Sequence, residues 1–218
     1  NATGALFNVS ANNVELNGVT VNYEAESDTN AYAVYASDSS DFRLIGSNIN
    51  FISNSIGTKG YYQHAIELRN CKNVAIRRNT INCELPACDI VWDAGIEGID
   101  HDLVLTIGIQ NSENITLMGN VIETKVTGGY GEFPTADSIM ADSFRDLKLS
   151  ENVIVQNDFS KAGKIGYSNA VDLYNFNTAS ISSNSILVNS TAGVDGLGSA
   201  YPIQLSGPYT NLVIDSNA

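Results

Sequence analysis

Positive charge is what this sequence has least of. Eleven Lys and Arg stand against 24 Asp and Glu, a formal net charge of −13 over 218 residues. A chain this acidic repels phosphate backbones and anionic headgroups, which sets aside nucleic acid and direct membrane contact. No apolar run approaches the roughly 18 residues of a membrane span. With only two histidines, His64 and His101, there is little room for His-based nucleophilic chemistry. Ser-His-Asp order, metal-spaced His/Cys clusters, phosphate-binding glycine loops, dinucleotide fingerprints and Ca²⁺-binding nonapeptides are all missing. Neither an initiator Met nor a signal peptide opens the chain, so Asn1 is expected to begin a processed or excised piece. Cysteine is sparse and odd in number. Of Cys71, Cys83 and Cys88 only the last two are close in sequence; they could form a short disulfide, or Cys83 could be a small apolar residue in a core row.

Asn, Ser, Thr and Gly are abundant instead, a balance that suits turns and stacked strands rather than helices. Sequons at Asn1, Asn8, Asn114 and Asn189 fit a secreted chain, although an Asn-rich sequence supplies such triplets by chance. Self-similarity is the strongest signal. Seven segments align, at Val14-Glu15-Leu16, Phe42-Arg43-Leu44, Val74-Ala75-Ile76, Ile115-Thr116-Leu117, Leu147-Lys148-Leu149, Ala179-Ser180-Ile181 and Leu212-Val213-Ile214. Each puts two apolar residues on one face, the period of a strand. Asn13, Asp41, Asn73, Asn114, Asp146, Thr178 and Asn211 stand just before them. Ser47, Asn79, Asn120, Asn152, Asn184 and Asn217 stand three residues beyond the second apolar position.

Two further strands complete each repeat. Downstream, Val21, Ile49, Ile81, Ile122, Ile154 and Ile186 form an apolar row. The next row on the same face is Tyr23, Phe51, Cys83, Thr124, Gln156 and Val188; it turns polar, so the third strand is expected to end near there in some coils. Upstream, the inward pairs read as Leu6/Asn8, Val34/Ala36, Ile66/Leu68, Ile107/Ile109, Ile139/Ala141, Val171/Leu173 and Ile203/Leu205. Stacking equivalent strands predicts an all-β, right-handed parallel β-helix. It would have about seven coils of three short strands, forming one domain over 1–218 that is a section of a longer repeat chain. Neighbouring coils would lie about 4.8 Å apart, close enough for Asn side chains to bond in ladders, and Asn tolerates the left-handed backbone of tight corners. Repeat spacings of 28, 32, 41, 32, 32 and 33 residues place all extra length between the third strand and the next first strand. The long loops should therefore share one edge.

The motifs His64-Ala-Ile-Glu-Leu-Arg-Asn-Cys-Lys-Asn-Val-Ala-Ile-Arg-Arg-Asn-Thr-Ile81, Leu105-Thr-Ile-Gly-Ile-Gln-Asn-Ser-Glu-Asn-Ile-Thr-Leu-Met-Gly-Asn-Val-Ile122 and Asn169-Ala-Val-Asp-Leu-Tyr-Asn-Phe-Asn-Thr-Ala-Ser-Ile-Ser-Ser-Asn-Ser-Ile186 resemble the repeats of the pectin-lyase-like β-helix superfamily. The acidic, Asn- and Tyr-rich style is similar to adhesin-like surface proteins of methanogenic archaea and to comparable bacterial surface proteins. That resemblance implies extracellular display and binding to a glycan or surface protein of another cell. It also keeps open a carbohydrate-active enzyme (lyase, hydrolase or epimerase on acidic polysaccharide) and a structural stalk, because one fold carries many functions.

Enzymes of that resemblance use clustered carboxylates with Arg, Lys or His on the outer face of one sheet. The outward positions here are Tyr35, Glu67, Arg69, Gln110, Asp142, Asp172, Tyr174 and Gln204. Glu67, Arg69, Asp142 and Asp172 would carry any catalysis, with Asp142 and Asp172 as a staggered acid–base pair; otherwise the face is solvated. The paired Asp runs, Gly-His-Gly and Arg-x-Lys expected of polygalacturonases are absent. Along the loop edge, Tyr32, Tyr61, Tyr62, Trp92, Tyr130, Phe133, Tyr167 and Tyr201 could stack on sugars or anchor a protein, or could pin their own loops. Asp93, Glu97, Asp100 and Asp102, with Asp89 and His101 nearby, offer oxygen density for Ca²⁺, or a merely solvated acidic loop. No other cofactor is expected.

Overall fold

A computed structural model describes residues 4–26, 29–54, 62–89, 103–129, 134–158, 167–190 and 199–218. It is a parallel β-helix. The first coil is β1 (Ala5–Val9), β2 (Glu15–Asn17) and β3 (Thr20–Ala25); the second is β4 (Ala31–Ser37), β5 (Arg43–Ile45) and β6 (Asn48–Ser53). The third is β7 (Tyr62–Arg69), β8 (Lys72–Arg77) and β9 (Thr80–Asp89), and the fourth is β10 (Leu103–Gln110), β11 (Glu113–Met118) and β12 (Val121–Gly129). The fifth is β13 (Pro134–Asp142), β14 (Arg145–Ser150) and β15 (Val153–Asp158). Five coils thus have three separate strands. Beyond them the first and second strands fuse, in β16 (Tyr167–Ser182), followed by β17 (Ser185–Ser190), and in β18 (Ser199–Asp215). The expected seven coils of three short strands hold in outline only.

Each strand pairs in parallel with its counterpart one coil on, so Val34, Ile66, Ile107, Ile139, Val171 and Ile203 are in register along the first sheet. Ile49, Ile81, Ile122, Ile154 and Ile186 do the same along the third. These rows meet Phe42, Leu44, Ile76 and their equivalents in one apolar interior. Among the described residues one pairing is antiparallel: the end of β9 lies against the start of β13, Asp89 opposite Pro134 and Cys88 opposite Thr135. Every connection longer than five residues falls, in sequence, between a third strand and the next first strand.

The ladder follows from amide geometry. Asn79, Asn120, Asn152 and Asn184 are buried, and the Oδ1 one coil ahead accepts both the backbone N–H and an Nδ2–H of each, at 2.9–3.0 Å. The second Nδ2 hydrogen goes back to the carbonyl of Leu44, Ile76, Leu117 or Leu149. The left-handed backbone expected of these Asn falls one residue earlier, at Gly18, Gly46, Arg78, Gly119, Glu151, Ser183 and Ser216. The other polar row is left-handed itself, at Asn13, Asp41, Asn73, Asn114 and Asp146.

Two sequence expectations need correction. In the first coil Phe7 and Val9, not Leu6 and Asn8, align with Val34 and Ala36; Leu6 is exposed, because a one-residue slip inverts every side chain. The third strand does not stop at its polar row: β12 runs on to Gly129 and β15 to Asp158. Thr124 and Gln156 are buried and hydrogen-bonded, Thr124 to Thr106 at 2.7 Å and Gln156 to Ser138 at 2.7 Å and Ser168 at 2.8 Å. Of the two readings open for Cys83, the core row holds: its thiol is free and packed in the apolar interior, and burial pushes that thiol up to about 12, so it is an inert apolar filler.

Candidate functional site

A kink in the first strand shapes the site. Registers along this sheet skip Ala33, Ala65, Thr106, Ser138 and Ala170, between Tyr32 and Val34 and their equivalents. Those five are fully buried, and Thr106 and Ser138 bond to inward residues of the third strand. Two successive residues therefore face the core, as in a bulge repeated in every coil. Strict alternation placed the first of them outward. The strand bends there, and outward residues three apart converge on the outer face.

In the third coil that convergence joins His64 and Glu67. The His64 Nδ1 lies 2.7 Å from Glu67 Oε2, and Arg69 Nε donates to Glu67 Oε1 at 2.6 Å. His64 and Glu67 are fully buried. Burial pushes the Glu67 carboxyl up, but the imidazole and the guanidinium more than offset that and hold it below the usual carboxylate range. Gly108 is the neighbour of Glu67 in the next coil. A Cβ there would run into the Glu67 carboxylate and His64 Nδ1, so the glycine gives the ion pair its room. Aromatic rings flank the pair. Tyr32 meets His64 edge-on at 5.5 Å and Tyr35 at 4.9 Å, and the Arg69 guanidinium lies 5.1 Å from the Tyr62 ring centre.

Two coils on, the same bend joins Asp137, Asn169 and Asp172. Asn169 Nδ2 is 2.8 Å from Asp137 Oδ1 and 3.4 Å from Asp172 Oδ2, and the Tyr174 hydroxyl donates to Asp172 Oδ2 at 2.5 Å. Gln204 Nε2 reaches the Tyr174 oxygen at 3.4 Å. Asp137, Asn169 and Asp172 are buried. Burial pushes Asp137 up, and the neighbouring Asp172 carboxylate pushes it further. Burial likewise raises Asp172, to about 7, with the Tyr174 hydroxyl pulling it back. Like carboxylates this close cannot both ionise cheaply, so the pair holds a proton near neutral pH.

The sequence-predicted residues sort unevenly. Glu67 and Arg69 come together as expected, but Glu67 and Asp172 are buried, so the face is not simply solvated. Asp172 has Asp137 as its acidic neighbour, whereas Asp142 is aligned with Tyr174 and receives bonds from Ser143 and Asn175 at the corner. Tyr32, Tyr62, Tyr167 and Tyr201 are strand residues of the first sheet rather than loop residues. Tyr32 is buried at 3% exposure, which removes it from any open binding surface, while Tyr62, Tyr167 and Tyr201 are 37–41% exposed. Tyr61, Trp92, Tyr130, Phe133, Asp93, Glu97, Asp100, His101 and Asp102 lie outside the described residues. Sequence reasoning missed His64, Asp137 and Asn169. The available signal was the small-residue row Ala33, Ala65, Ala170 immediately before a β-branched core row, which marks the kink.

A groove of about 620 Å³ lies at another corner, beside Phe144, Phe176 and Tyr209, whose rings stack 5.0–5.1 Å apart. Its charged groups Lys72, Glu113 and Arg145 pair with one another at the surface, leaving no reactive group.

No family model matches the chain, and no curated protein matches it. Among solved structures it is similar to a trypsin-treated form of QnrB1, a plasmid-mediated fluoroquinolone resistance protein. The match covers 93% of this chain and 91% of that one, at 10% identity and a TM-score of 0.17. A likeness that slight carries no argument about this chain.

Proposed function

We propose that this β-helix is an extracellular, cell-surface adhesin module that holds a glycan along the outer face of its first sheet. The supporting observation is the row of side chains on that face: Tyr35, Tyr62 and Arg69 at one end, Tyr167, Tyr174, Tyr201 and Gln204 at the other. Exposed aromatic faces beside fixed amide, hydroxyl and guanidinium groups suit a ligand that is apolar on its ring faces and polar at its rim, as a sugar is. The similarity of style to archaeal adhesin-like surface proteins points the same way. A second reading, a carbohydrate-active enzyme on acidic polysaccharide, is favoured by the proton-bearing Asp137–Asp172 pair, since a carboxyl protonated near neutral pH is what a general acid requires.

A glycan array probed with the folded chain, beside a product assay on uronic-acid polymers, separates the two. Binding without turnover, weakened about tenfold or more in Tyr62→Ala and Tyr201→Ala, supports the adhesin. Shortened or unsaturated products that vanish in Asp172→Asn transfer the conclusion to the enzyme. Undiminished binding in both Tyr variants removes the first-sheet face from either role.

A further inference from the structure

Four buried oxygen atoms of one cluster lack a hydrogen-bond donor: Asp137 Oδ2, Asn169 Oδ1, Asp172 Oδ1 and Gln204 Oε1. They belong to side chains already tied together through Asn169 Nδ2 and the Tyr174 hydroxyl. Buried acceptors without donors are costly, and their concentration at one place in an otherwise well-satisfied stack calls for a ligand. Among the described residues no Lys or Arg forms an ion pair with either aspartate; Arg69, on the same face, is committed to Glu67. The open valence is therefore negative, and every atom offering it is oxygen.

We infer that Asp137, Asn169, Asp172 and Gln204 form a binding site for a hard divalent cation, with Ca²⁺ the best fit. Nitrogen and sulfur donors are absent from the set, which excludes zinc-type chemistry, and two carboxylates supply the charge a divalent ion neutralises. Ca²⁺ accepts amide oxygens and water in irregular geometry, whereas Mg²⁺ demands a near-octahedral shell. Asn169 is suited to the role. Its Nδ2 sits between the two carboxylates, so half a turn of the amide puts Oδ1 there in its place. Among the described residues no three His, Cys, Asp or Glu side chains gather into a metal set; this site is built from two acids and two amides. The inference does not depend on the glycan reading.

The test is calorimetric titration of the metal-free full chain with CaCl₂ near pH 7.5, with thermal unfolding alongside. Binding should give a saturable heat and raise the melting temperature. Asp137→Asn and Asp172→Asn should each remove one Ca²⁺ site or weaken it about tenfold or more. The heat and the melting shift are measured on the unaltered chain and so do not depend on either variant folding. An unaltered chain that shows no Ca²⁺-dependent heat or melting shift overturns the inference. So does binding with the same stoichiometry and affinity in both variants, which would locate the ion elsewhere.

Discussion

The Asn ladder and the bend on the outer face of the first sheet both bury polar side chains, yet they are built on opposite principles. Along the ladder, Asn79, Asn120, Asn152 and Asn184 repeat one arrangement coil after coil, and both hydrogens of each amide are used. On the outer face nothing repeats. The row that holds Glu67 continues as Gly108, Met140, Asp172 and Gln204, and four oxygens of the cluster around Asp172 have no donor. A periodic, satisfied polar row is explained by stacking alone. An aperiodic one that buries charge and leaves valence open is not, and perturbed groups of this kind gather where proteins bind or react.

The sharpest way to break the comparison is Glu67→Gln. The carboxylate is the shared partner of His64 and Arg69, so its loss takes away the negative charge that faces a buried imidazole and a partly buried guanidinium. A loss of about 3 kcal/mol is expected near neutral pH, the lower end for breaking a buried pair because Arg69 reaches solvent. The Glu67 carboxyl lies below its ordinary value when folded. The stability it contributes is therefore present above about pH 4.3, its unfolded value, and is lost as pH falls through the folded one. Urea midpoints measured from pH 3 to 7 should show the unaltered chain losing more on the acid side than the variant does.

Asn120→Ala comes next and tests the ladder. It removes the acceptor of the Asn79 amide groups and the donor to Ile76 O and Asn152 Oδ1. Leaving such groups unsatisfied should cost on the order of 1–3 kcal/mol, read as a lower urea midpoint at an unchanged slope. Ligand binding per folded molecule should stay as it was. Lost binding at normal stability would mean that the ladder is not the structural half of the comparison.

The fold was legible because its signals are periodic. Apolar rows two residues apart and Asn in register needed only alignment, and Val34, Ile66, Ile107, Ile139 and Val171 fall where alternation puts them. The site was legible only in part because it depends on a departure from alternation. Reading the strand with strict period two placed Glu67, Arg69 and Asp172 on the outer face, but it faced His64, Asp137 and Asn169 inward. The bulge at Ala65 and its equivalents reverses those three, and burial of the face comes from contacts that no local pattern encodes. Register at the first coil failed for a related reason: Leu6-Phe7-Asn8-Val9 offers two alternations, and only pairing to Val34 and Ala36 chooses between them.

The smallest expected effect runs in the opposite direction, and its sign is what makes it informative. Asp137 and Asp172 lie above their ordinary values when folded, Asp172 at about 7. Stability linked to a carboxyl raised in this way is fully present below about pH 4, where both folded and unfolded forms are protonated, and is lost as pH rises toward the folded value. The metal-free chain should therefore weaken between about pH 4 and 7 on account of this pair, whereas the stability from Glu67 is present across that window and is lost only below about pH 4.3. Asp137→Asn keeps the oxygen that accepts from Asn169 and replaces the other with a donor, so it removes a charge that Asp172 opposes and lowers the acceptor excess. A gain on the order of 1–2 kcal/mol at pH 7 is expected without divalent cation, with the neutral-side slope flattened. Urea denaturation of the chelator-treated variant and the unaltered chain at pH 4.5 and 7.5 measures this directly. Equal destabilisation of the variant at both pH values would show that Asp137 serves packing alone, and that the face and the ladder differ less than their hydrogen bonds suggest.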